Sequence, residues 1–258
     1  MLEIRHLTVP YGKRRVIPDL SVSGLEQGAI TALLGPNGSG KSTLLKALAG
    51  LNRAATGAVL LDGEDLARAS FEARARKVVY LPQSLPAAVH LRVFESVLVA
   101  ANASTYGGRI TVADVQSLIE RLGIGHLAMH YLDQLSGGQK QLVGLAQALV
   151  RQPRLLLLDE PLSALDLNYQ FHVMDLLAHE TRERGLITVI VLHDLNIALR
   201  HADAALMIRQ GELVAQGAPR DVITPETLAA VYGVSARVEP CSRGVPQVMI
   251  DGLHAVVA

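Results

Sequence analysis

The chain has 258 residues, half of them apolar, and its 24 Lys and Arg residues balance 24 Asp and Glu residues. This length suits one large α/β domain, the even charge excludes a generally basic surface for nucleic acid, and no apolar run approaches the ~18 residues that cross a bilayer. The single cysteine, Cys241, excludes an internal disulfide or a cysteine zinc cage, and the first residues lack a signal-peptide core, which predicts a cytosolic chain.

The first fifty residues predict antiparallel strands, one buried strand and a glycine-rich loop. Residues 1–30 alternate weakly in polarity and carry turn signals, which favours short antiparallel strands. An apolar strand from Ile30 to Leu34 then leads through the loop into the start of a helix. The loop consists of Gly35, Pro36, Asn37, Gly38, Ser39, Gly40, Lys41, Ser42 and Thr43.

This order of strand, glycine-rich loop and helix is the setting that a phosphate-binding P-loop requires. Glycines allow backbone φ values that bulkier residues resist, so that loop N–H groups can converge on phosphate oxygens at the helix N-terminus. Lys41 would bind the β- and γ-phosphates, and Ser42 would offer its hydroxyl to Mg²⁺. We therefore predict nucleotide binding in preference to a purely structural glycine loop.

The next hundred residues predict two short strands and then a mainly helical region. Val59–Leu61 reads as a strand that ends in an Asp-Gly turn, and Lys77–Leu81 reads as a strand that Pro82 stops. Residues 84 to about 151 are predicted to be mainly helical. They include an amphipathic helix over Val112–Leu122 and an apolar helix over Leu142–Val150.

A strand–helix–strand unit follows, and it ends in acidic residues. The apolar runs Leu155–Leu158 and Thr188–Leu192 read as buried parallel strands joined by a helix over Tyr169–Arg184. Asp159 and Glu160 stand at the carboxyl end of the first strand, where doubly wound sheets bind ligands. Behind a P-loop, Asp159 would steady Mg²⁺ and Glu160 would polarise the attacking water. The alternative is a solvated strand end.

The carboxyl-terminal residues predict a hairpin, a helix and a tail. Ala205–Ile208 and Glu212–Val214 flank a Gln-Gly turn, and Thr224 would cap a helix over Pro225–Tyr232. The tail from residue 237 to residue 258 contains apolar stretches, and it would form a small hairpin or pack on a neighbour.

A second glycine pair precedes the helix that is predicted from Lys140 onwards. Ser136 suits the N-cap, and Gly137 and Gly138, followed by Gln139, would open backbone N–H groups toward an anion. A plain helix cap is the alternative for this segment considered alone.

Taken together and in this order, the motifs resemble those of ATP-binding cassette (ABC) ATPases, from about Ile4 to Gly233. The resemblance implies an α/β fold: a P-loop NTPase core of mostly parallel sheet with helices, an N-terminal antiparallel β-subdomain and a helical ABC subdomain at roughly residues 84–152. It also implies one ABC ATPase domain over residues 1–240 and a short tail over residues 241–258.

The resemblance assigns roles to residues whose ordinary interpretation would be structural. Tyr11 matches the aromatic residue that stacks on adenine, and Gln83 matches the Q-loop glutamine that contacts Mg²⁺ and water and senses the membrane partner. Leu135–Gln139 is the signature motif, Ser163–Asp166 is the D-loop, and His193 matches the switch histidine that holds the γ-phosphate. Without the resemblance, these would be a strand-edge tyrosine, a polar loop residue, a helix cap and a solvated histidine.

The two glycine loops suggest how such a chain uses ATP and Mg²⁺. In the family, the signature loop of one subunit closes over ATP held on the P-loop of another, so we expect Asp166 and Ser136–Gln139 to reach a partner's nucleotide. Hydrolysis would then require a head-to-tail homodimer, and the γ-phosphate would favour its closed state.

The carboxyl-terminal third resembles importers of iron-siderophores, haem and cobalamin, through His193–Asp203, Gly211–Gly217 and Thr224–Val234. Such importers imply separate permease subunits, an indirectly linked extracytoplasmic binding protein, no nucleic acid partner, and a peripheral position on the cytoplasmic face of the inner or plasma membrane. The chain departs from the family at Lys140–Leu142 and Gln147, where arginines are frequent. It also departs in the loop 85–106, which lacks a Gly-Arg step.

Other classes remain as alternatives. The cargo could be a metal ion or another solute, since no residue of this chain needs to touch it. A soluble ABC protein acting on ribosomes would carry two cassettes, and one acting on DNA would carry a long coiled-coil insertion between Lys41 and Ser136. A P-loop kinase or GTPase would lack the signature and D-loop motifs.

Overall fold

The computed structural model describes residues 1–12, 14–83, 89–103 and 110–254. Its strands are β1 (Leu2–Tyr11), β2 (Arg14–Leu25), β3 (Ala29–Leu34), β4 (Thr56–Leu61), β5 (Glu64–Asp65), β6 (Val78–Leu81), β7 (Leu155–Leu158), β8 (Ile187–Val191), β9 (Ala204–Arg209), β10 (Glu212–Gly217), β11 (Val234–Pro240) and β12 (Pro246–Leu253). Its α-helices are α1 (Lys41–Leu48), α2 (Phe71–Lys77), α3 (Val93–Asn102), α4 (Val112–Arg121), α5 (Gly137–Val150), α6 (Leu167–Arg184), α7 (Leu195–His201), α8 (Pro219–Val222) and α9 (Pro225–Tyr232).

The amino-terminal residues form the predicted antiparallel sheet, in the order β2-β1-β4-β5. Its first two strands run for 10 and 12 residues and are longer than the short strands expected from sequence. Pro18 is accommodated because β2 lies at the sheet edge, where a missing N–H interrupts no ladder on the outer side. Asp62 and Gly63, both with positive φ, make the predicted turn between β4 and β5.

The central sheet has the strand order β10-β9-β3-β8-β7-β6, with parallel pairing from β9 through to β6. Parallel strands end at the same edge, so this edge gathers the residues that follow β3, β6, β7 and β8. Those residues are the glycine-rich loop, Gln83, the pair Asp159–Glu160 and His193. The topology therefore brings together motifs that are up to 158 positions apart between Gly35 and His193.

Successive residues of the central strands point into two separate apolar layers. Leu156 and Leu158 of β7 join the layer that contains α3 to α6, whereas Leu155 and Leu157 join the layer that contains β1, β2 and α1. All four leucines have 0 % exposure, and burying a leucine side chain stabilises a fold by about 1.5–3 kcal/mol. The uninterrupted apolar run that predicted a buried strand is thus explained by burial on both faces.

The region predicted to be mainly helical contains α3, α4, α5 and two short 3₁₀ turns at Gly125–Leu127 and Leu132–Gln134. Thr111 caps α4 through a reciprocal capping box with Asp114, and Gly123 follows the helix with a φ of 72°. Residues 84–88 and 104–109, which include parts of the predicted loop 85–106, lie outside the described residues. Sequence reasoning did not predict α2, which Ser70 caps by accepting from the Ala73 N–H group.

The carboxyl-terminal predictions are confirmed at the level of secondary structure. The β9–β10 hairpin turns at Gln210 and Gly211, and Thr224 caps α9. The tail forms a hairpin of β11 and β12, which packs on α7 and α9. The expected domain boundary at residue 240 falls at the turn of this hairpin, and the final residues 255–258 lie outside the described part of the chain. Among the described residues, no helix has the length and apolar character needed to cross a membrane.

Candidate nucleotide site

The glycine-rich loop has a shape that only glycine can adopt at two of its positions. Gly35 has a φ of 149°, and a Cβ there would lie 2.2 Å from the Ile208 carbonyl oxygen. Gly40 has a φ of 104° and forms the N-cap of α1, so the free N–H groups of the first helical turn face the loop. The loop is therefore held with its backbone donors available to an anion.

The β9–β10 turn braces this loop from behind. The Gly211 N–H group donates to the Ser39 carbonyl oxygen at 2.8 Å. A Cβ on Gly211 would lie 1.9 Å from the Val16 carbonyl oxygen, so a side chain at this turn would push the hairpin away. The Ser39 hydroxyl is buried, and no partner for it is found among the described residues.

Lys41 is buried at the start of α1, and its ammonium group reaches back across the loop. Its Nζ donates to the carbonyl oxygens of Gly35 and Pro36 at 2.7 and 2.9 Å. Burial lowers the pKa of the Lys41 ammonium, while the carboxylates of Glu160 and Asp159 act in the opposite direction. A partly desolvated cation beside open N–H donors suits a multiply charged phosphate ligand.

Asp159 is 2 % exposed, and each of its carboxylate oxygens has one hydroxyl donor. Ser42 Oγ donates to Oδ1 at 3.0 Å, and Tyr80 Oη donates to Oδ2 at 2.9 Å. Burial, and then the Asp159 charge, raise the pKa of the Tyr80 phenol, so Tyr80 remains a donor. Ser42 and Asp159, each predicted to act on Mg²⁺, lie within hydrogen-bond distance of each other, and their hard oxygens suit this ion. Sequence reasoning missed Tyr80, which it treated only as part of a strand.

Glu160 has its carboxylate between two of the other predicted residues. Gln83 Nε2 donates to Oε2 at 2.6 Å, and His193 Nε2 lies 2.7 Å from Oε1. The backbone of Glu160 is left-handed, with a φ of 52°, which costs a non-glycine residue on the order of 1–2 kcal/mol. This conformation supports a functional interpretation, because such outliers persist where the surroundings hold them.

Several of these groups line one open cleft of about 380 Å³ at the carboxyl edge of the sheet, whereas the buried Asp159 is not one of its lining residues. The lining residues are Val16, Asn37, Gly38, Gly40, Lys41, Ser42, Thr43, Gln83, Glu160 and His193. We call this space the P-loop cleft. Tyr11, predicted to stack on adenine, is 77 % exposed at the end of β1 and is not one of the lining residues. Val16 on the neighbouring strand does line the cleft, and sequence reasoning did not single it out.

The second glycine loop lines a different cleft, of about 320 Å³, which we call the signature cleft. Its lining includes the predicted residues Ser136, Gly138, Gln139 and Asp166, and it shares no lining residue with the P-loop cleft. Ser136 and Asp166 serve as the N-caps of α5 and α6. The Cβ position of the remaining glycine, Gly137, faces open space. The structure thus divides the predicted site residues into two groups.

The helix α5 begins at Gly137, three residues earlier than the helix predicted from Lys140. It lies so close to the loop after β7 that a Cβ on Gly138 would be 2.6 Å from the Ala164 carbonyl oxygen. Leu142, which stands where the family often has arginine, is buried in the apolar core. In this chain the position therefore contributes apolar packing.

A model of the ABC transporter family matches residues 19–163, which is more than half of the chain. The chain belongs to the ABC transporter family. The predicted membership of the ABC ATPases is thereby confirmed, and the activity implied by the family is ATP hydrolysis. The observed α/β architecture, with its antiparallel sheet and helical region, agrees with the predicted fold class.

Two curated relatives are ATP-binding proteins of ferric enterobactin transport and of hemin import. The chain is 38% identical over 234 residues to the ferric enterobactin transport ATP-binding protein of Escherichia coli strain K12, covering 88% of this chain and 85% of that protein. It is 37% identical over 253 residues to the hemin import ATP-binding protein of Bordetella avium strain 197N, covering 94% and 95%. Each of these relatives spans nearly the same length as the present chain.

Solved structures give the same family at lower identity. An inward-facing conformation of a proposed metal-chelate type ABC transporter matches with a TM-score of 0.79 and 25% identity, covering 100% of this chain and 99% of that one. A dimeric structure of a bacterial ABC transporter cassette matches with a TM-score of 0.75 and 26% identity, covering 85% and 99%. The first match extends over the whole chain, including the β11–β12 hairpin.

Proposed function

We propose that this chain powers an importer as a homodimer, with ATP bound between the P-loop cleft of one copy and the signature cleft of the other. The observation that carries the proposal is the separation of the two clefts within one chain. One cleft holds a buried lysine and acidic residues, and the other holds backbone donors at helix N-termini. Neither cleft alone contains both kinds of group, and a second copy of the chain would supply the kind that is missing. The dimeric cassette structure supports this arrangement.

The P-loop cleft would hold the nucleotide and its metal. Residues 35–43 would surround the phosphates, Lys41 would neutralise them, and Tyr11 would stack on adenine. Ser42, Asp159 and Gln83 would hold Mg²⁺, which supplies neutralisation of phosphate charge when bound. The Ser42–Asp159 pair fits this role, whereas the side chain of Gln83 is engaged with Glu160 at 2.6 Å. From the partner copy, Ser136, Gly137, Gly138, Gln139 and Asp166 would complete the nucleotide's surroundings.

Glu160 would act as the general base for the attacking water. As the water oxygen bonds to the γ-phosphorus, the bond to the ADP oxygen breaks and the water proton moves to the Glu160 carboxylate. Gln83 and His193 orient that carboxylate through the contacts already described. His193 would in addition hold the γ-phosphate. Because it also contacts Glu160, it would fix the position of the Glu160 carboxylate relative to the γ-phosphate.

The cargo we propose is an iron chelate, either a siderophore complex or haem, with cobalamin as a related candidate. The ferric enterobactin and hemin transport of the two curated relatives support this class, and so does the metal-chelate type of the structural relative. The partners would be membrane-spanning permease subunits and, indirectly, an extracytoplasmic binding protein, with no nucleic acid. The chain would sit on the cytoplasmic face of the membrane, as one ABC domain over residues 1–240 whose helical part, roughly residues 84–152, docks the permease.

Two measurements test the dimeric mechanism. The turnover per chain should rise with chain concentration, and non-hydrolysing conditions with ATP should yield a dimer in light scattering. A turnover per chain that is independent of concentration, with no dimer, would contradict the dimeric mechanism.

Uptake of ⁵⁵Fe-siderophore, ⁵⁵Fe-haem and ⁵⁷Co-cobalamin should then be compared in cells that carry the chain with its neighbouring permease genes. Cosedimentation with ribosomes or DNA in place of membranes would favour a soluble ABC protein.

A further inference from the structure

Gln141 is a buried polar residue between the two clefts, on the first turns of α5. Its side chain is 7 % exposed. Its Nε2 donates to the Glu160 carbonyl oxygen at 2.9 Å, and its Oε1 accepts from the Ala164 N–H group at 3.1 Å. Only the amide nitrogen can donate and only the oxygen can accept, so the two partners fix the orientation of the amide.

Both partners of Gln141 lie in the loop that follows β7. The Glu160 carbonyl oxygen also accepts from the hydroxyl and the backbone N–H of Ser163, at 3.0 and 3.3 Å. These donors hold the peptide unit that follows the left-handed Glu160, and this conformation directs the carboxylate into the P-loop cleft. Gln141 therefore acts on the backbone of Glu160, while Gln83 and His193 contact its side chain.

The start of α5, a few residues before Gln141, lines the signature cleft. Ser136, Gly138 and Gln139 line that cleft together with Ala164 and Asp166. The helix start packs closely on this loop, since a Cβ on Gly138 would lie 2.6 Å from the Ala164 carbonyl oxygen. A displacement of the signature residues is consequently transmitted to Glu160 through the Gln141 amide.

We infer that Gln141 is a positioning residue that couples the two nucleotides of the dimer. This inference rests on the proposed function, because in the head-to-tail dimer the two clefts of one chain receive different nucleotides. Engagement of the signature residues by one nucleotide sets, through Gln141, the backbone of the Glu160 that acts on the other. The prediction is that hydrolysis at the two sites is cooperative and that Gln141 carries a measurable part of this cooperativity.

The variant Gln141→Met tests the inference, because methionine keeps the volume and removes both hydrogen bonds. We expect kcat to fall about tenfold and the Hill coefficient for ATP to move toward one, with nucleotide affinity of the separate chain within about twofold of wild type. The matched control is Gln147→Met on the same helix, at a partly buried position that lines neither cleft. It should leave all three quantities unchanged.

The possible outcomes separate the inference from the proposed function. A wild-type chain that does not dimerise with ATP would overturn both. A dimerising wild type whose kcat and Hill coefficient are unaffected by Gln141→Met would overturn the inference alone. An equal loss in kcat, affinity and melting temperature would assign Gln141 a purely structural role, which also overturns it.

A second variant covers the case in which Gln141→Met does not fold. Ser163 is exposed, and its hydroxyl donates to the same Glu160 carbonyl oxygen as the Gln141 amide. Ser163→Ala removes this hydroxyl donor. We expect the same direction of change with a smaller size, about threefold in kcat. An unchanged kcat and Hill coefficient in Ser163→Ala would count against control of Glu160 through its carbonyl oxygen.

Discussion

The P-loop cleft and the signature cleft differ in the kind of group that each presents. In the first, charged side chains are buried and paired: Lys41 bonds to loop carbonyls, and Asp159 accepts from two hydroxyls. In the second, Ser136 and Asp166 cap helices, and backbone donors stand at the helix starts. On the proposed function, the first cleft binds nucleotide with its own residues, and hydrolysis there requires the second cleft of another copy.

This difference predicts that substitutions in the first cleft act on one isolated chain, whereas substitutions in the second act only when two chains meet. The largest effect should come from Lys41→Ala. Loss of the buried cation beside the phosphates should abolish nucleotide binding or turnover. Binding of a fluorescent ATP analogue and phosphate release measure the two effects. An unaffected variant would remove the basis for the P-loop assignment.

Glu160→Gln should be next in size. It should keep ATP bound and accumulate a closed dimer while turnover falls by about 10²-fold or more, the scale for losing a positioned base. Phosphate release and light scattering with ATP test the two parts. Glu183→Gln, at an exposed position on α6, is the control and should behave as wild type. Near-normal turnover in Glu160→Gln would assign the base to another group.

Gly138→Ala probes the signature cleft. The added Cβ would lie 2.6 Å from the Ala164 carbonyl oxygen, so the helix start must shift. We expect turnover to fall about tenfold and ATP affinity of the separate chain to stay within about twofold, because the displaced helix start belongs to the signature cleft and not to the residues that would bind nucleotide in the P-loop cleft. Gly137→Ala faces open space and should keep the wild-type melting temperature. Equal loss of affinity in Gly138→Ala would mean that the two clefts are not separate in function.

The smallest effect should come from Tyr80→Phe. It removes one hydroxyl donor from Asp159 and leaves the Ser42 contact in place. We expect the half-saturating Mg²⁺ concentration for ATP binding to rise about threefold to tenfold, which corresponds to about 0.7–1.4 kcal/mol and lies within the range for one typical hydrogen bond. A Mg²⁺ titration at fixed nucleotide, followed by the analogue's fluorescence, measures this. No change in the Mg²⁺ requirement would limit Tyr80 to a packing role.

The sequence predicted those parts of the site that depend on short contiguous patterns. Residues 35–43, Asp159 after its leucine strand, and the Gln-Gly hairpin turn all have local signals, and the structure has them where they were expected. The parallel sheet then explains why Gln83 and His193 meet Glu160. The roles assigned to these residues remain predictions.

Other features depend on contacts between distant segments, which no local pattern encodes. Tyr80 reads as an ordinary strand residue, and its bond to Asp159 exists only because β6 lies beside β7. Gln141 was noted as part of a departure from the family pattern, but its two bonds depend on how α5 packs against the loop after β7. The separation into two clefts has the same origin. By contrast, α2 has local sequence signals for a helix, namely Ser70 at the N-cap, Glu72 in the first turn and basic residues in the last turn.

The contact of Gly211 behind Ser39 makes the shape of the phosphate loop depend on the β9–β10 turn. We expect a peptide of residues 35–43 with its helix not to hold the loop in this shape, because the supporting turn lies about 170 positions later in the chain. The phosphate loop is consequently not portable. Grafting the loop into another scaffold would also require a glycine turn that contacts it as Gly211 does. We expect a nascent chain that ends before this turn to be unable to retain ATP.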